Sequence, residues 1–452
     1  MPDDTPLQLA IRAVEMAVAA GAEQCDAFAQ GYNETSATVR LGEVEKLIEA
    51  GSKSLGLRVI NQGRTAICST SDFTDEAFET FVRDTMEMAN ISAPDEFAGL
   101  PEQHQFAKPR ADGLRLFDES IPGMSVEQRL SMAKECEAAA MDADPRISNS
   151  DGSTVSTRFG EVALANSRGF QAGYPATSVD VVVEVMADDA DGKKRNAYWY
   201  SAERSLHRLV SPAEVGRIAA RRAVDQVGAR KMDTRQVPVV FEPMMAAALA
   251  RDLAGCATGS ALYRGSTFLA GRAGEVIASP LLSLVDDPTV PGGLGSRPFD
   301  GEGLASIRNP IVAAGIFKRF LFDCYTARRT GNESTASAQR GIGSSPSPGA
   351  SGLILEAGET DPGAIIGDVQ EGLYLTTLMG FGFNPTTGDY SRGAAGFWIE
   401  NGELAFPVTE VNISGRMDEM LRDIDAVGND LQTFGSTSAP TVRISRMTVS
   451  GT

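Results

Sequence analysis

Before residue 230 the chain twice repeats one order of patterns: a helical apolar stripe, then segments alternating with period two, then a second helical stripe. In the first round Thr5-Pro6 has the form of an N-cap followed by proline at the first helical position. Leu7, Ile11, Val14 and Val18 then recur at helical spacing until Gly21. Residues 37–41, 45–49 and 54–60 alternate, Asn61-Gln62-Gly63 makes a turn, and 65–70 runs back. Thr74-Asp75-Glu76 opens a helix with Phe78, Val82, Met86 and Ala89 on one stripe. In the second round Ser125 and Gln128 form a capping box for a helix to Met141. Strand patterns follow at 159–165, 170–174, 178–187 and 196–201, with turns at 166–169 and Asp191-Gly192. Ser211-Pro212 with Glu214 starts a further helix, expected to reach Gly228.

Such a chain must build antiparallel sheet with helices covering one face, an α+β fold. We expect an N-terminal α+β unit over 1–95, a linker over 96–122 that includes Pro101 and Pro109, and a central α+β unit over 123–232. From 233 to 452 helical pattern is confined to about 244–253, and short apolar runs alternate with Gly and Pro. The clearest element there is a hairpin at 397–406, with Asn401-Gly402 supplying a type I′ turn. A β-rich C-terminal domain is expected, as a barrel-like or half-closed sheet.

Composition narrows the function. The formal net charge of −19 opposes direct nucleic-acid binding, and no Lys/Arg cluster compensates. Five scattered cysteines form no C-x-x-C, the first residues lack the parts of a signal peptide, and no run of 18 apolar residues occurs. These features suit the cytoplasm, with no membrane partner.

Few residues carry recognisable chemistry. There is no P-loop and no G-x-S-x-G. The 189–192 stretch lacks carboxylates at the first and twelfth positions of a calcium loop and reads as an acidic hairpin turn. Asp286-Asp287 reads as a solvated turn before Pro288. The chain has only two histidines, His104 and His207, in different segments, so no helical His pair can seat zinc. Cys256 and Cys324 are expected as buried thiols.

The C-terminal half carries L-Y-L-T-T-L-M-G (373–380), N-P-T-T-G-D-Y-S-R-G-A-A-G-F-W-I-E-N-G-E (384–403) and P-V-T-E-V (407–411). L-Y-R-G-S-T-F (262–268), F-D-G-E-G (299–303) and D-C-Y-T-A-R-R-T-G (323–331) accompany them. These stretches resemble the PmbA (TldE) branch of the TldD/PmbA family. The resemblance implies a heterodimeric zinc metallopeptidase that cleaves unfolded peptides. In that family the TldD-type subunit carries H-E-x-x-x-H and a later cysteine ligand, and the PmbA-type subunit lacks them.

Aligned on Arg264-Gly265, the family's histidine positions fall near Ala250 and Gly255 and its glutamate near Arg251. Ala and Gly offer no donor, and a guanidinium repels a cation. No cysteine follows Cys324. The implied role is a metal-free pseudo-peptidase subunit with no catalytic residue of its own. Zinc would sit in a TldD-type partner, and homodimers would be possible in isolation. Arg264, Arg328, Asp389, Tyr390, Arg392 and Trp398 are candidates for peptide binding or the subunit interface. The alternative for the 389–398 run is scaffold, with an Asp389–Arg392 pair fixing a turn. Two other readings remain open: a self-sufficient metallopeptidase using Asp252, Cys256 and His207, and a regulatory protein-binding module of the gyrase-modulator type.

Overall fold

The computed structural model describes residues 4–108, 113–190 and 192–451. Pro109 and Asp191, named in the expected linker and turn, lie outside the described residues. Helix α1 (Pro6–Ala19) starts as its sequence dictates: Thr5 Oγ1 accepts from the Gln8 backbone N–H, and Gln8 Oε1 accepts from the Thr5 N–H. There follow β1 (Gln24–Arg40), β2 (Glu43–Asn61), β3 (Arg64–Thr70) and α2 (Asp75–Ile91). Then come α3 (Val126–Met141), capped by the Ser125/Gln128 box, β4 (Ile147–Asn166), β5 (Gln171–Asp188), β6 (Lys194–Glu203) and α4 (Pro212–Val224).

The two meanders are parts of one sheet. Its order is β3-β2-β1-β4-β5-β6, every pairing is antiparallel, and β1 joins β4 from Asp26↔Asn166 to Val39↔Ser153. Leu9, Leu55, Leu57 and Phe78 close the core beneath α1 and α2; Cys136, Val181, Val183 and Val215 close that beneath α3 and α4. Period two sends β1's Cys25, Ala27 and Ala29 toward the helices and Phe28 to the other face, where it clusters with Phe170 and Phe299. There the C-terminal half covers part of the sheet's second face. The patterns at 45–49 and 54–60 join into the single strand β2, whose residues 43–52 are exposed throughout.

The C-terminal half runs β7 (Arg235–Phe241), α5 (Pro243–Cys256), α6 (Gly259–Tyr263), β8 (Leu284–Asp286), β9 (Asn309–Ala313), β10 (Ile316–Phe317) and α7 (Cys324–Thr330). It continues through β11 (Ala338–Gln339), β12 (Ser347–Pro348), β13 (Leu353–Leu355), α8 (Pro362–Gly367), β14 (Glu371–Met379), β15 (Asp389–Glu400) and β16 (Glu403–Arg416). It ends with α9 (Met417–Arg422), β17 (Ile424–Val427), β18 (Gln432–Phe434), β19 (Thr437–Ala439) and β20 (Val442–Ser450). Strands β16-β15-β14-β7-β20 close into a five-stranded barrel, since β16 also pairs with β20 from Asn412↔Ser450 to Ser414↔Thr448. Helix α5 packs between this barrel and a second sheet, β10-β9-β8-β13-β19-β18, in one continuous core. Asn401 and Gly402 take φ of 53° and 81° at the β15–β16 turn, as the Asn-Gly pair requires. Among the described residues no helix is long and apolar enough to cross a membrane.

Candidate functional site

The candidate residues fall into two groups. The first surrounds α5. Its inner face buries Leu249, Ala250 and Leu253, while Arg251 and Gly255 are exposed. A Cβ built on Gly255 would meet nothing within 4 Å, so its lack of a side chain is not imposed by packing. Asp252, on the flank of this face, meets Arg392 of β15, with Nη2 3.2 Å from Oδ2. The expected Asp389–Arg392 pair does not form. Residues three apart on a strand point to opposite faces; Asp389 instead accepts from Thr387 Oγ1 at 2.6 Å.

Tyr390 is 1% exposed beside Arg392, whose guanidinium lies 5.4 Å from the ring centroid. Trp398 is fully buried in the core that includes α5. Burial raises the Asp252 pKa, and Arg392 and Arg251 oppose the rise. Burial, then the Asp252 charge, push the Cys256 thiol up to about 12, so it keeps its proton at neutral pH.

These groups do not fit zinc. Asp252 is paired with a guanidinium, Cys256 is buried at the end of α5, and exposed His207 bonds Ser205 Oγ through Nδ1 at 3.0 Å in a separate segment. Among the described residues no group of three His, Cys, Asp or Glu is placed to hold a metal. Arg392 therefore matters first to Asp252. Arg392→Met is expected to cost about 2 kcal/mol by leaving a largely buried carboxylate unpaired. Adding Asp252→Asn should recover most of that loss. Urea unfolding of the single and double variants measures both; a single variant as stable as wild type would sink the pairing argument.

The second group lies where the first sheet meets the C-terminal half. Asp26 of β1 accepts from Arg58 Nε and Nη2 on β2, and from Arg340 Nη2 at 2.6 Å. All three side chains are buried. Nearby, Asp300 accepts from the amides of Glu302, Leu304 and Ala338, and Glu302 accepts from Cys324 N at 2.7 Å. Asp323 caps α7 through Thr326 N at 2.8 Å. The F-D-G-E-G and D-C-Y-T-A-R-R-T-G stretches thus converge.

Arg328 donates to the carbonyls of Phe97, Gly99 and Leu100 at 2.9, 2.7 and 3.3 Å, fastening the segment after α2. Exposed Arg264 sets Nε 3.0 Å from the Tyr263 hydroxyl. Asp286, expected in a solvated turn, is instead 1% exposed and accepts from the amides of Ser351 and Gly352. It is an internal anchor because two loop donors need a buried acceptor.

Sequence reasoning missed Asp26, Arg58, Arg340 and Glu302. For Asp26 and Arg58 the local signal is a charge between apolar neighbours, as in Leu57-Arg58-Val59; Glu302 lies in the F-D-G-E-G stretch, and Arg340 carries no such signal. That signal gains meaning only once the register places Arg58 opposite Asp26.

Comparison with known proteins bears on the whole chain. Residues 25–89 match the model for PmbA/TldA metallopeptidase domain 1, 119–227 the central domain and 234–451 the C-terminal domain. The Metalloprotease PmbA of Escherichia coli O157:H7 is 34% identical over 92% of this chain and 90% of its own. The Metalloprotease PmbA homolog of Haemophilus influenzae is 31% identical over 97% and 94%. A crystal structure from Bacteroides thetaiotaomicron, described as a modulator of DNA gyrase, superposes with a TM-score of 0.92 at 27% identity, covering 98% of both chains. TldE from Thermococcus kodakarensis shares the fold, with a TM-score of 0.88 at 22% identity over 98% and 99%.

Proposed function

The chain belongs to the PmbA/TldD metallopeptidase family, and from that premise we propose that it is the metal-free subunit of a two-subunit peptidase. The observation that carries this reading is the residue chemistry along α5. Where the family's histidine and glutamate positions fall, Ala250 is core, Gly255 has no side chain and Arg251 is a permanent cation. The neighbouring carboxylate already holds Arg392. In this reading zinc and the hydrolytic step belong to a TldD-type partner, and this chain helps to enclose unfolded peptide.

A groove of about 850 Å³ between β6 and β14, lined by Tyr198, Arg222, Met244 and Tyr374, supports an enclosing role. Strand β6 is the outer strand of its sheet there, and an edge strand can take an extended peptide by its backbone. Cytoplasmic residence accords with five unpaired cysteines.

Reconstitution tests the proposal. The chain alone is expected to show no chelator-sensitive cleavage of an unfolded peptide. Mixing it with a family subunit that carries H-E-x-x-x-H should restore cleavage, and chelator should abolish it. Chelator-sensitive cleavage by this chain alone would overturn the reading.

A further inference from the structure

A cavity of about 440 Å³ opens at the junction, with no α5 residue in its lining. That volume lies within the range of small-molecule sites. Arg58, 6% exposed, lines it. Its Nε and Nη2 are taken by Asp26, and no hydrogen bond among the described residues engages Nη1. A buried guanidinium with an unused donor on a cavity wall calls for an acceptor.

Ser260 and Ser345 line the same space, and their hydroxyls likewise have no hydrogen-bond partner among the described residues. Two carboxylates share the walls. Asp323 commits Oδ1 to Thr326, and Asp95 holds the Tyr325 hydroxyl at 2.7 Å with Arg329 3.8 Å away. They disfavour a multiply charged anion and suit an ammonium. Tyr263 and Tyr325 stand edge to face, with centroids 6.3 Å apart.

We propose that this cavity is a binding site for a zwitterionic ligand of the amino-acid or short-peptide class, with its carboxylate on Arg58 Nη1 and its ammonium between Asp323 and Asp95. The seryl hydroxyls complete the carboxylate's shell, and the tyrosine pair supplies a wall for one side chain.

Titration calorimetry of the full chain with glycyl-phenylalanine tests this. One site per chain is expected. Amidating the C-terminus or acetylating the N-terminus should each weaken binding by at least about tenfold, because each leaves a charged wall group unmatched. Ser260→Phe, on the cavity wall, should abolish binding while the thermal midpoint shows the variant still folded. Arg58→Lys removes the forked donor; because it also touches Asp26, Ser260→Phe carries the decision if that variant fails to fold. No binding of the dipeptide, equal binding of its amide, inorganic phosphate bound more tightly than the dipeptide, or unchanged binding by folded Ser260→Phe would each overturn the assignment.

Discussion

Asp26→Ala is expected to remove about 4 kcal/mol of folding stability, a large fraction of what a protein possesses. Asp26 is the shared ion-pair partner of two guanidiniums, Arg58 at 7% and Arg340 at 1% side-chain exposure, and both would remain inside without that partner. The loss should exceed that of a triple variant in which all three become apolar, since deleting one partner leaves charge behind and deleting all does not. Urea unfolding monitored by circular dichroism decides the matter; a cost under about 1 kcal/mol would mean that water or a neighbouring carboxylate compensates.

The same network sets a pH dependence. Burial pushes Asp26 up, but Arg340 and Arg58 outweigh it and hold the carboxyl at about 2. Its folded pKa is lowered from 3.8, so its contribution is present above that value and is lost as pH falls through about 2. Glu302 acts in the opposite direction. Burial first, then the Asp300 charge, push it up to about 7 from 4.5. The fold therefore holds a proton that the unfolded chain releases, and Glu302's contribution declines as pH rises from 4.5 to 7. Glu302→Gln should flatten stability across that window; an unchanged slope would place the titrating group elsewhere.

Trp398→Ala should cost about 4 kcal/mol, from lost burial and the void left behind. Trp398 is among the largest fully buried side chains and sits on a strand of the closed barrel. Its indole N–H has no hydrogen-bond partner among the described residues. Trp398→Phe should therefore cost under about 1.5 kcal/mol, because it also discards a polar group that burial leaves unpaid. Thermal unfolding of both variants measures the contrast. If Trp398→Ala were as stable as wild type but lost peptide cleavage in the reconstituted pair, Trp398 would be a peptide contact, not part of the barrel core.

Much of the architecture follows from neighbours along the chain. Thr5 with Gln8, and Ser125 with Gln128, start their helices where the residues stand. Asn401-Gly402 turns its hairpin because asparagine and glycine tolerate positive φ. The alternations at 45–49 and 54–60 were both legible and lie on one strand, although residues 43–52 are exposed throughout.

What required the tertiary structure is which charges meet. Asp26 and Arg340 lie 314 residues apart, and Asp252 and Arg392 lie 140 apart. Strand period ruled out the nearby Asp389–Arg392 pair, and the packing of α5 against the barrel brings Arg392 to Asp252 instead. Caps, turns and periodicity arise from interactions within a few residues, so the amino-acid order alone determined them. Ion pairs form through space, so the β1–β2 register, the packing of the C-terminal half on the first sheet and the packing of α5 on the barrel decided them.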